Sequence, residues 1–335
     1  MSYQAPENRF ESMSYRRCGQ SGLRMSALSF GYWNNFGDGD SYETCRALTL
    51  RAFDLGITHF DLADAYGPPA GYAEEIFGRI IQNDLAPYRE QFLITTKAGF
   101  PFDNSPYGQG GSRKHLLESL DRSLKTMHLD HVDIFYHHRM DPDTPLEESM
   151  DALAHAVHTG RTMYVGVSNY DAEHTQQAAD ILREKHGIPL FIQQPQYNMF
   201  SREPEYDGTF DVVQKNGMAC ITYLALAQGL LSGKYNNGVP AGSRASKPLT
   251  YPTTLQADSL PQDKIQKVIA LGEIAKRRGQ SMAQMALSWI LRLPFVSSVL
   301  IGASKVSQIE ENVKALDGPE FTQEELQQID RILNA

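Results

Sequence analysis

Four side chains in this sequence have the types and spacing of a proton-transfer site. Asp61 and Tyr66 lie in Gly56-Ile57-Thr58-His59-Phe60-Asp61-Leu62-Ala63-Asp64-Ala65-Tyr66-Gly67, a stretch that begins apolar and ends polar. Lys97 closes the run Phe92–Lys97, and His138 closes Val132–His138. A phenol is a poor proton donor near neutral pH, because its pKa is about 10. A nearby ammonium favours the phenolate and lowers that value, while a carboxylate keeps the ammonium charged and in place. A neutral imidazole can orient a carbonyl oxygen. The four together make a general acid with its tuning groups, suited to protonating an alkoxide as it forms from an aldehyde or ketone.

Each residue also has a plain structural use. Asp61 can cap a helix, Lys97 can snorkel from a strand end, and His138 can be packed or solvated. Their joint placement at the ends of successive strands favours one shared role over separate ones. The protein offers no nucleophile of its own for this chemistry, since it has no Ser-His-Asp grouping, no Gly-x-Ser-x-Gly and no His-Glu-x-x-His. Hydride from a nicotinamide would complete the reaction. No Gly-x-Gly-x-x-Gly opens a first strand–helix turn, so a dinucleotide must bind without that unit. No metal is expected.

These groups must be positioned by a repeating frame. Short apolar or β-branched runs occur at Ala27–Gly31, His59–Ala63, Phe92–Lys97, Val132–His138, Met163–Asn169, Leu190–Gln194, Cys220–Leu226 and Ser298–Gly302. Helical spacing fills most intervals, at Ser41–Leu55, Tyr72–Gln82, Ser112–Met127 (Ser112 as N-cap), Pro145–His158, Asp171–Lys185 and Tyr206–Asn216. Asp263–Arg278 and Met282–Arg292 form a helix pair, and Lys305–Leu316 and Thr322–Leu333 follow the last strand. Strand and helix alternating about eight times predict an α/β fold, a closed (β/α)8 TIM barrel with its functional groups at the C-terminal strand ends. Polar residues stand at those ends: Asp61, Lys97, His138, Ser168-Asn169, Gln194 and Gly302-Ala303-Ser304.

Residues 1–14 read as a loose leader, Tyr15–Ser26 as a β-hairpin around Gly19-Gln20-Ser21-Gly22, and 15–335 as a single barrel domain. Two irregular segments, Gly99–Gly111 after the third strand and Ala227–Gln262 after the seventh, are long enough to act as lids or clamps. The second is rich in Gly and Pro, including Pro240, Pro248 and Pro252.

The 335 residues suffice for such a barrel, and 41% hydrophobic with 21% charged residues is ordinary for a globular protein. A net charge of −9 weighs against nucleic acid or an anionic membrane as partner. The cysteines, Cys18, Cys45 and Cys220, are scattered and form no Cys-x-x-Cys. The first residues are polar and no apolar run is of membrane-spanning length, so a cytoplasmic location is expected.

The chain resembles the aldo-keto reductase family from about Tyr15 to Ala335. The Asp61 stretch resembles one signature, with its Asp and Tyr five apart. Val165-Gly166-Val167-Ser168-Asn169-Tyr170 resembles a second, and Val299-Leu300-Ile301-Gly302-Ala303-Ser304 with Gln308, Glu311 and Asn312 resembles the cofactor-binding end. The likeness is greatest to the branch that holds the bacterial L-glyceraldehyde 3-phosphate reductases and the potassium-channel β-subunits. It is carried by Gly108–Lys114, Leu226–Tyr235 and Gly279–Trp289.

The resemblance implies a catalytic tetrad of Asp61, Tyr66, Lys97 and His138, the family's His standing five residues after Asp133. Strand alternation agrees that only one of His137 and His138 points inward. It implies NADP(H) as cofactor. Ser168, Asn169 and Gln194 would hold the nicotinamide carboxamide and Tyr223 would stack on its ring. The backbone around Leu224, Leu226 and Gln228 would line the pyrophosphate path. Lys234, Arg244, Ser304 and Gln308 would gather at the 2′-phosphate and adenosine, with Asn312 on the adenine and Gly302 and Glu311 alongside. Gly31 and Trp33 match cofactor- and substrate-facing positions, and Tyr66 and His138 would touch substrate. Asp64 is left as loop or surface.

The implied activity is NADPH-dependent reduction of small aldehydes resembling glyceraldehyde 3-phosphate or methylglyoxal, by a homo-oligomer. Arg139, or Arg113-Lys114, could meet a substrate phosphate, with solvated surface charge the equal alternative. The other reading is an NADP(H)-sensing regulatory subunit docked on a membrane protein. In channel β-subunits the position of His138 is commonly Asn, so His138 favours the enzyme.

Overall fold

The computed structural model describes residues 3–246 and 254–335. Pro248 and Pro252 of the second long segment lie outside the described residues. A two-stranded antiparallel hairpin comes first, β1 (Tyr15–Arg17) and β2 (Arg24–Ser26), with Tyr15 opposite Ser26. Eight parallel strands then close into a barrel. They are β3 (Leu28–Gly31), β4 (His59–Asp61), β5 (Leu93–Ala98), β6 (Val132–His137), β7 (Thr162–Ser168), β8 (Ile192–Gln194), β9 (Ala219–Thr222) and β10 (Val296–Ile301). Each strand pairs with its neighbour in chain order, and β10 pairs with β3 to close the ring.

Ten α-helices occur among the described residues. Six follow β3 to β8 in turn: α1 (Tyr42–Asp54), α2 (Tyr72–Ile80), α3 (Arg113–Met127), α4 (Leu146–His158), α5 (Ala172–His186) and α6 (Thr209–Lys215). The pair α7 (Gln262–Arg277) and α8 (Met282–Leu291) precedes β10, and α9 (Val306–Val313) and α10 (Gln323–Asn334) follow it. The starts are chemically specified. Ser112 accepts from His115 N and Asp171 from His174 N, while Ser281–Gln284 and Thr322–Glu325 form reciprocal capping boxes. Two predicted helices are shorter than their apolar spacing suggested. The α2 helix gives way at Ile81–Leu85 to a π-helical turn, and Gly208, at φ 87°, delays α6 to Thr209.

Side-chain alternation divides the core in two. Ile134, Tyr136, Ile192, Ala219, Ile221 and Leu300 fill the barrel interior, and Cys18 and Met25 of the hairpin pack onto them. The intervening residues, such as Ile94, Phe135, Val165 and Cys220, face the helices in a larger cluster. Each fully buried large aliphatic side chain contributes about 1.5–3 kcal/mol. Gly166 serves the interior layer. A Cβ there would lie 2.7 Å from Tyr136 Cε1 and 2.6 Å from Ile192 Cγ2, so its bare Cα is the space the tyrosine ring occupies.

The segment expected to be a loose leader is packed from Tyr3 onward. Tyr3 donates to Asp54 Oδ1 at 2.5 Å, and Ala5 N donates to the Tyr88 hydroxyl at 3.1 Å. Arg9 is buried with its guanidinium over the rings of Phe53 and Tyr88, and Met13 is buried beside Gly56. Apolar surface supplied by residues far along the chain holds a polar sequence in place. Among the described residues, no helix is long and apolar enough to cross a membrane.

Candidate active site

On β4, β5 and β6 the inward phase ends in a polar group at one mouth of the barrel. On β4 it runs His59, Asp61; on β5, Thr95, Lys97; on β6, Ile134, Tyr136 and then His138 just past the strand. This phase puts His138 at the mouth. His137, one step out of phase, points outward, its Nδ1 2.6 Å from the Tyr170 hydroxyl.

Lys97 is the hub. Its side chain is fully buried, and Nζ donates to Asp61 Oδ2 at 2.5 Å, to the Leu62 carbonyl at 2.7 Å and to the Tyr66 hydroxyl at 3.3 Å. The second oxygen of Asp61 accepts from Gln194 Nε2 at 3.1 Å. Nζ also faces two aromatic rings, Tyr66 at 4.9 Å and Tyr136 at 5.9 Å. The His138 ring meets Tyr66 edge-on at 5.6 Å. Asp61, Tyr66, Lys97 and His138 thus share one corner of the mouth.

Burial moves the titrations. It pushes Lys97 below the usual ammonium range, and the adjacent Asp61 carboxylate opposes that. Burial first, then the Lys97 charge, hold His138 well below the ordinary imidazole range. The imidazole is therefore neutral at physiological pH. Its Nδ1 is buried without a hydrogen-bond partner among the described residues.

A second group continues round the rim. Asn169 Nδ2 donates to the His138 carbonyl at 2.8 Å and to Ser168 Oγ at 3.2 Å, and Ser168 Oγ donates to the Gln194 carbonyl at 2.8 Å. The Tyr223 hydroxyl donates to Asn169 Oδ1 at 2.5 Å. The predicted seventh strand ends at Thr222, short of Leu226, because the backbone turns left-handed. Leu224, Ala227 and Gln228 have φ of 56°, 46° and 58°, and Asn169 has 57°. Such strain in non-glycine residues is tolerated where surrounding structure enforces it, often at ligand sites. Leu226 O accepts from Gly229 N and Gln228 Oε1 from Leu255 N, which folds this stretch into a tight turn.

Further along, Lys234 and Arg244 are half-buried close together, and both titrate below their usual range because of burial, Lys234 also because of Arg244. Neither forms an ion pair with a carboxylate among the described residues. Two adjacent cations of this kind suit a phosphate, and with the Tyr223 face they fit an anionic dinucleotide. Just past β10, Ser304 N and Oγ both donate to Gln308 Oε1, at 2.8 and 3.3 Å. Among the described residues, no hydrogen bond joins the Lys234–Arg244 pair to the Ser304–Gln308 pair. Asn312 is buried, Glu311 exposed, and Gly302 stands exposed just past β10. Gly31 pairs with Asp61 across β3 and β4, and Trp33 follows it half-buried.

Three features escaped the sequence. Phe100 packs edge-on against His138 at 4.6 Å. Tyr136 lies beneath Lys97. Asp64, expected in a loop or at the surface, is fully buried instead: its N–H donates to the Lys97 carbonyl, drawing the residue inward. Its carboxylate lies 3.4 Å from Arg122 and near Glu74, also buried; burial pushes both acids up to about 7, the Glu74 charge adding to the rise at Asp64. Glu74 stands at helical spacing on α2, so its inward face was readable; the burial of Asp64 depends on the turn alone.

A model of the aldo/keto reductase family matches residues 27–334. The chain is 52% identical over 331 residues to the L-glyceraldehyde 3-phosphate reductase of Escherichia coli (strain K12), covering 99% of this chain and 95% of that protein. It is 37% identical over 325 residues to a probable voltage-gated potassium channel subunit beta of Oryza sativa subsp. japonica, covering 96% and 97%. Among solved structures, the thermostable aldo-keto reductase Tm1743 in complex with the inhibitor epalrestat superposes with a TM-score of 0.73 at 29% identity, covering 96% of this chain and all of that one.

Proposed function

The chain belongs to the aldo/keto reductase family, and from that premise we propose that it reduces small aldehydes to primary alcohols with NADPH, Tyr66 donating the proton. One observation carries the reading: a fully buried Lys97 ammonium held by Asp61 at 2.5 Å reaches the Tyr66 hydroxyl at 3.3 Å. When bound, the reduced nicotinamide supplies hydride to the carbonyl carbon. Tyr66 gives its phenolic proton to the carbonyl oxygen as negative charge develops there, and Lys97 stabilises the phenolate left behind. Neutral His138, whose ring meets Tyr66 at 5.6 Å, would orient that oxygen. Ser168, Asn169, Gln194 and Tyr223 would hold the nicotinamide, and Lys234 and Arg244 the adenosine phosphate. Two cations close together favour the 2′-phosphorylated dinucleotide over NADH.

The 52% identity to a reductase of glyceraldehyde 3-phosphate supports short hydroxy- or oxo-aldehydes as the substrate class, methylglyoxal included. Cytoplasmic location and homo-oligomeric assembly belong to the same reading, the latter testable by light scattering after size exclusion. A second reading, an NADP(H)-sensing regulatory subunit, draws on the 37% identity to a channel subunit. The complete set of four groups favours the enzyme. Loss of reduced-nicotinamide absorbance with glyceraldehyde 3-phosphate, methylglyoxal and 4-nitrobenzaldehyde, using NADPH and NADH, separates the two. Multiple turnovers with NADPH are expected. Tight NADPH binding with no oxidation across the panel would overturn the enzyme in favour of the subunit.

A further inference from the structure

Arg139 follows His138 immediately, and its guanidinium lies over the ring of Phe100, 4.7 Å from the centroid. Phe100 in turn packs its ring against His138 at 4.6 Å. Phe100 thus touches both the imidazole at the reacting end of the mouth and the Arg139 guanidinium. Arg139 is half-buried and makes no side-chain hydrogen bond or ion pair among the described residues. A guanidinium lying on an aromatic face keeps its N–H edges in plane and available, and little rotamer freedom remains to be lost on binding.

The neighbouring acid does not neutralise it. Asp141 spends its oxygens on Gly111 N (2.7 Å), Thr144 Oγ1 (2.7 Å) and Asp143 N (3.1 Å). The other basic candidates near this rim are committed elsewhere. Lys114 pairs with Glu118 at 2.5 Å, and Arg113 donates to the Asp151 carbonyl at 3.2 Å on the outer helical layer, beside His155 and His158. Among these three cations only Arg139 is both unpaired within the described residues and linked by contact to the residue that orients the carbonyl. The 4.6 Å and 4.7 Å contacts through one phenyl ring set the spacing between imidazole and guanidinium that a short aldehyde with an anionic far end would bridge.

We infer that Arg139, held on Phe100, binds the anionic terminus of the substrate, so that the site selects short aldehydes carrying a phosphate or carboxylate. This rests on the aldehyde-reductase reading and deepens it by naming the substrate class and the residue that reads it. A planar fork of donors matches either anion and strengthens binding through charge-assisted hydrogen bonds. Phe100 is a positioning residue for that fork.

Two measurements test it on the full-length chain. The first is kcat/KM with NADPH for glyceraldehyde 3-phosphate and succinate semialdehyde against neutral glyceraldehyde and butyraldehyde, in the wild type, Arg139→Gln, Arg139→Lys and Arg113→Gln. The ratio of anionic to neutral kcat/KM is expected to fall on the order of 10–100-fold in Arg139→Gln, to recover in part in Arg139→Lys, and to hold in Arg113→Gln. A fall for the phosphorylated aldehyde alone assigns a phosphate; a fall for both assigns any anion. The second is calorimetric binding of glycerol 3-phosphate, which cannot be reduced, to the NADPH-loaded protein, expected to weaken by a similar factor in Arg139→Gln. An unchanged ratio, or equal loss on anionic and neutral aldehydes, overturns the inference, as does the absence of glycerol 3-phosphate binding to the wild type. Failure of every aldehyde to react would instead sink the reductase reading, with the calorimetric arm still judging Arg139.

Discussion

Lys97 Nζ stands 3.3 Å from the Tyr66 hydroxyl and reaches it from a fully buried position. The contact joins a charge that burial makes costly to a phenol that needs a cation in order to lose its proton. Removing the phenolic oxygen deletes the proton donor without touching the groups expected to hold the dinucleotide. Tyr66→Phe is expected to lower kcat by roughly 10²–10⁴-fold, with NADPH affinity retained in a fluorescence titration. Turnover at the wild-type rate in this variant would exclude Tyr66 as the donor.

The Asp61–Lys97 pair gives a stability signature. Asp61 is 2% exposed and Lys97 is not exposed at all, so removing one partner leaves a buried charge uncompensated. Asp61→Asn is expected to cost about 3–5 kcal/mol. Asp61→Asn combined with Lys97→Met removes the stranded ammonium and is expected to recover a large part of that cost while remaining inactive. Urea midpoints for the wild type, both single variants and the double variant read this directly. Additive losses would mean that the pair is not coupled as its 2.5 Å contact implies.

The barrel and its mouth were legible because two periodicities coincide with chemistry. Alternation along Val132–His138 lets only one of His137 and His138 face inward, the family resemblance selects His138 by its spacing from Asp133, and the structure turns His137 to Tyr170. Ser112 was readable as a cap because its hydroxyl satisfies a local N–H. What escaped depends on partners distant in sequence. The polar segment after Tyr3 is ordered by Phe53, Asp54 and Tyr88, which no local pattern connects to it. Asp64 is buried by a backbone hydrogen bond to Lys97. Arg139 was indistinguishable from Arg113 and Lys114 until the ion pairs were placed, because a charge in a sequence does not show whether it is already neutralised.

Gly166 probes the interior packing. A methyl group there meets Tyr136 Cε1 at 2.7 Å and Ile192 Cγ2 at 2.6 Å, and neither contact is with a flexible chain end. Gly166→Ala is expected to cost about 1–3 kcal/mol as overpacking. It should also lower kcat, because the ring it displaces lies 5.9 Å beneath Lys97 Nζ. Denaturation midpoints and initial rates on the same preparation check both. Loss of stability with kcat unchanged would mean that Tyr136 only fills space.

Two histidines that take no part in the proposed chemistry contribute to the acid sensitivity of the fold. His59 is buried inside the barrel, with Nε2 2.6 Å from Thr95 Oγ1 and Nδ1 unpartnered among the described residues. His137 is buried against Tyr170. Burial pushes both down to about 4 from an ordinary value of 6.5. Asp61 opposes and Lys97 reinforces the shift at His59; at His137 Asp141 opposes, and His115 and Arg139 reinforce it. A folded value below the unfolded one means that the unfolded chain binds the proton first. The stability these groups contribute is therefore complete above 6.5 and is lost as pH falls from 6.5 toward 4. The loss approaches about 1.4 kcal/mol per pH unit for each histidine within that window. His59→Gln removes one titration while keeping a polar group beside Thr95. Its denaturation midpoint should fall less steeply with acid than that of the wild type between those values, and match the wild-type slope above 6.5. Parallel slopes throughout the window would show that His59 protonates as easily in the folded barrel as in the unfolded chain.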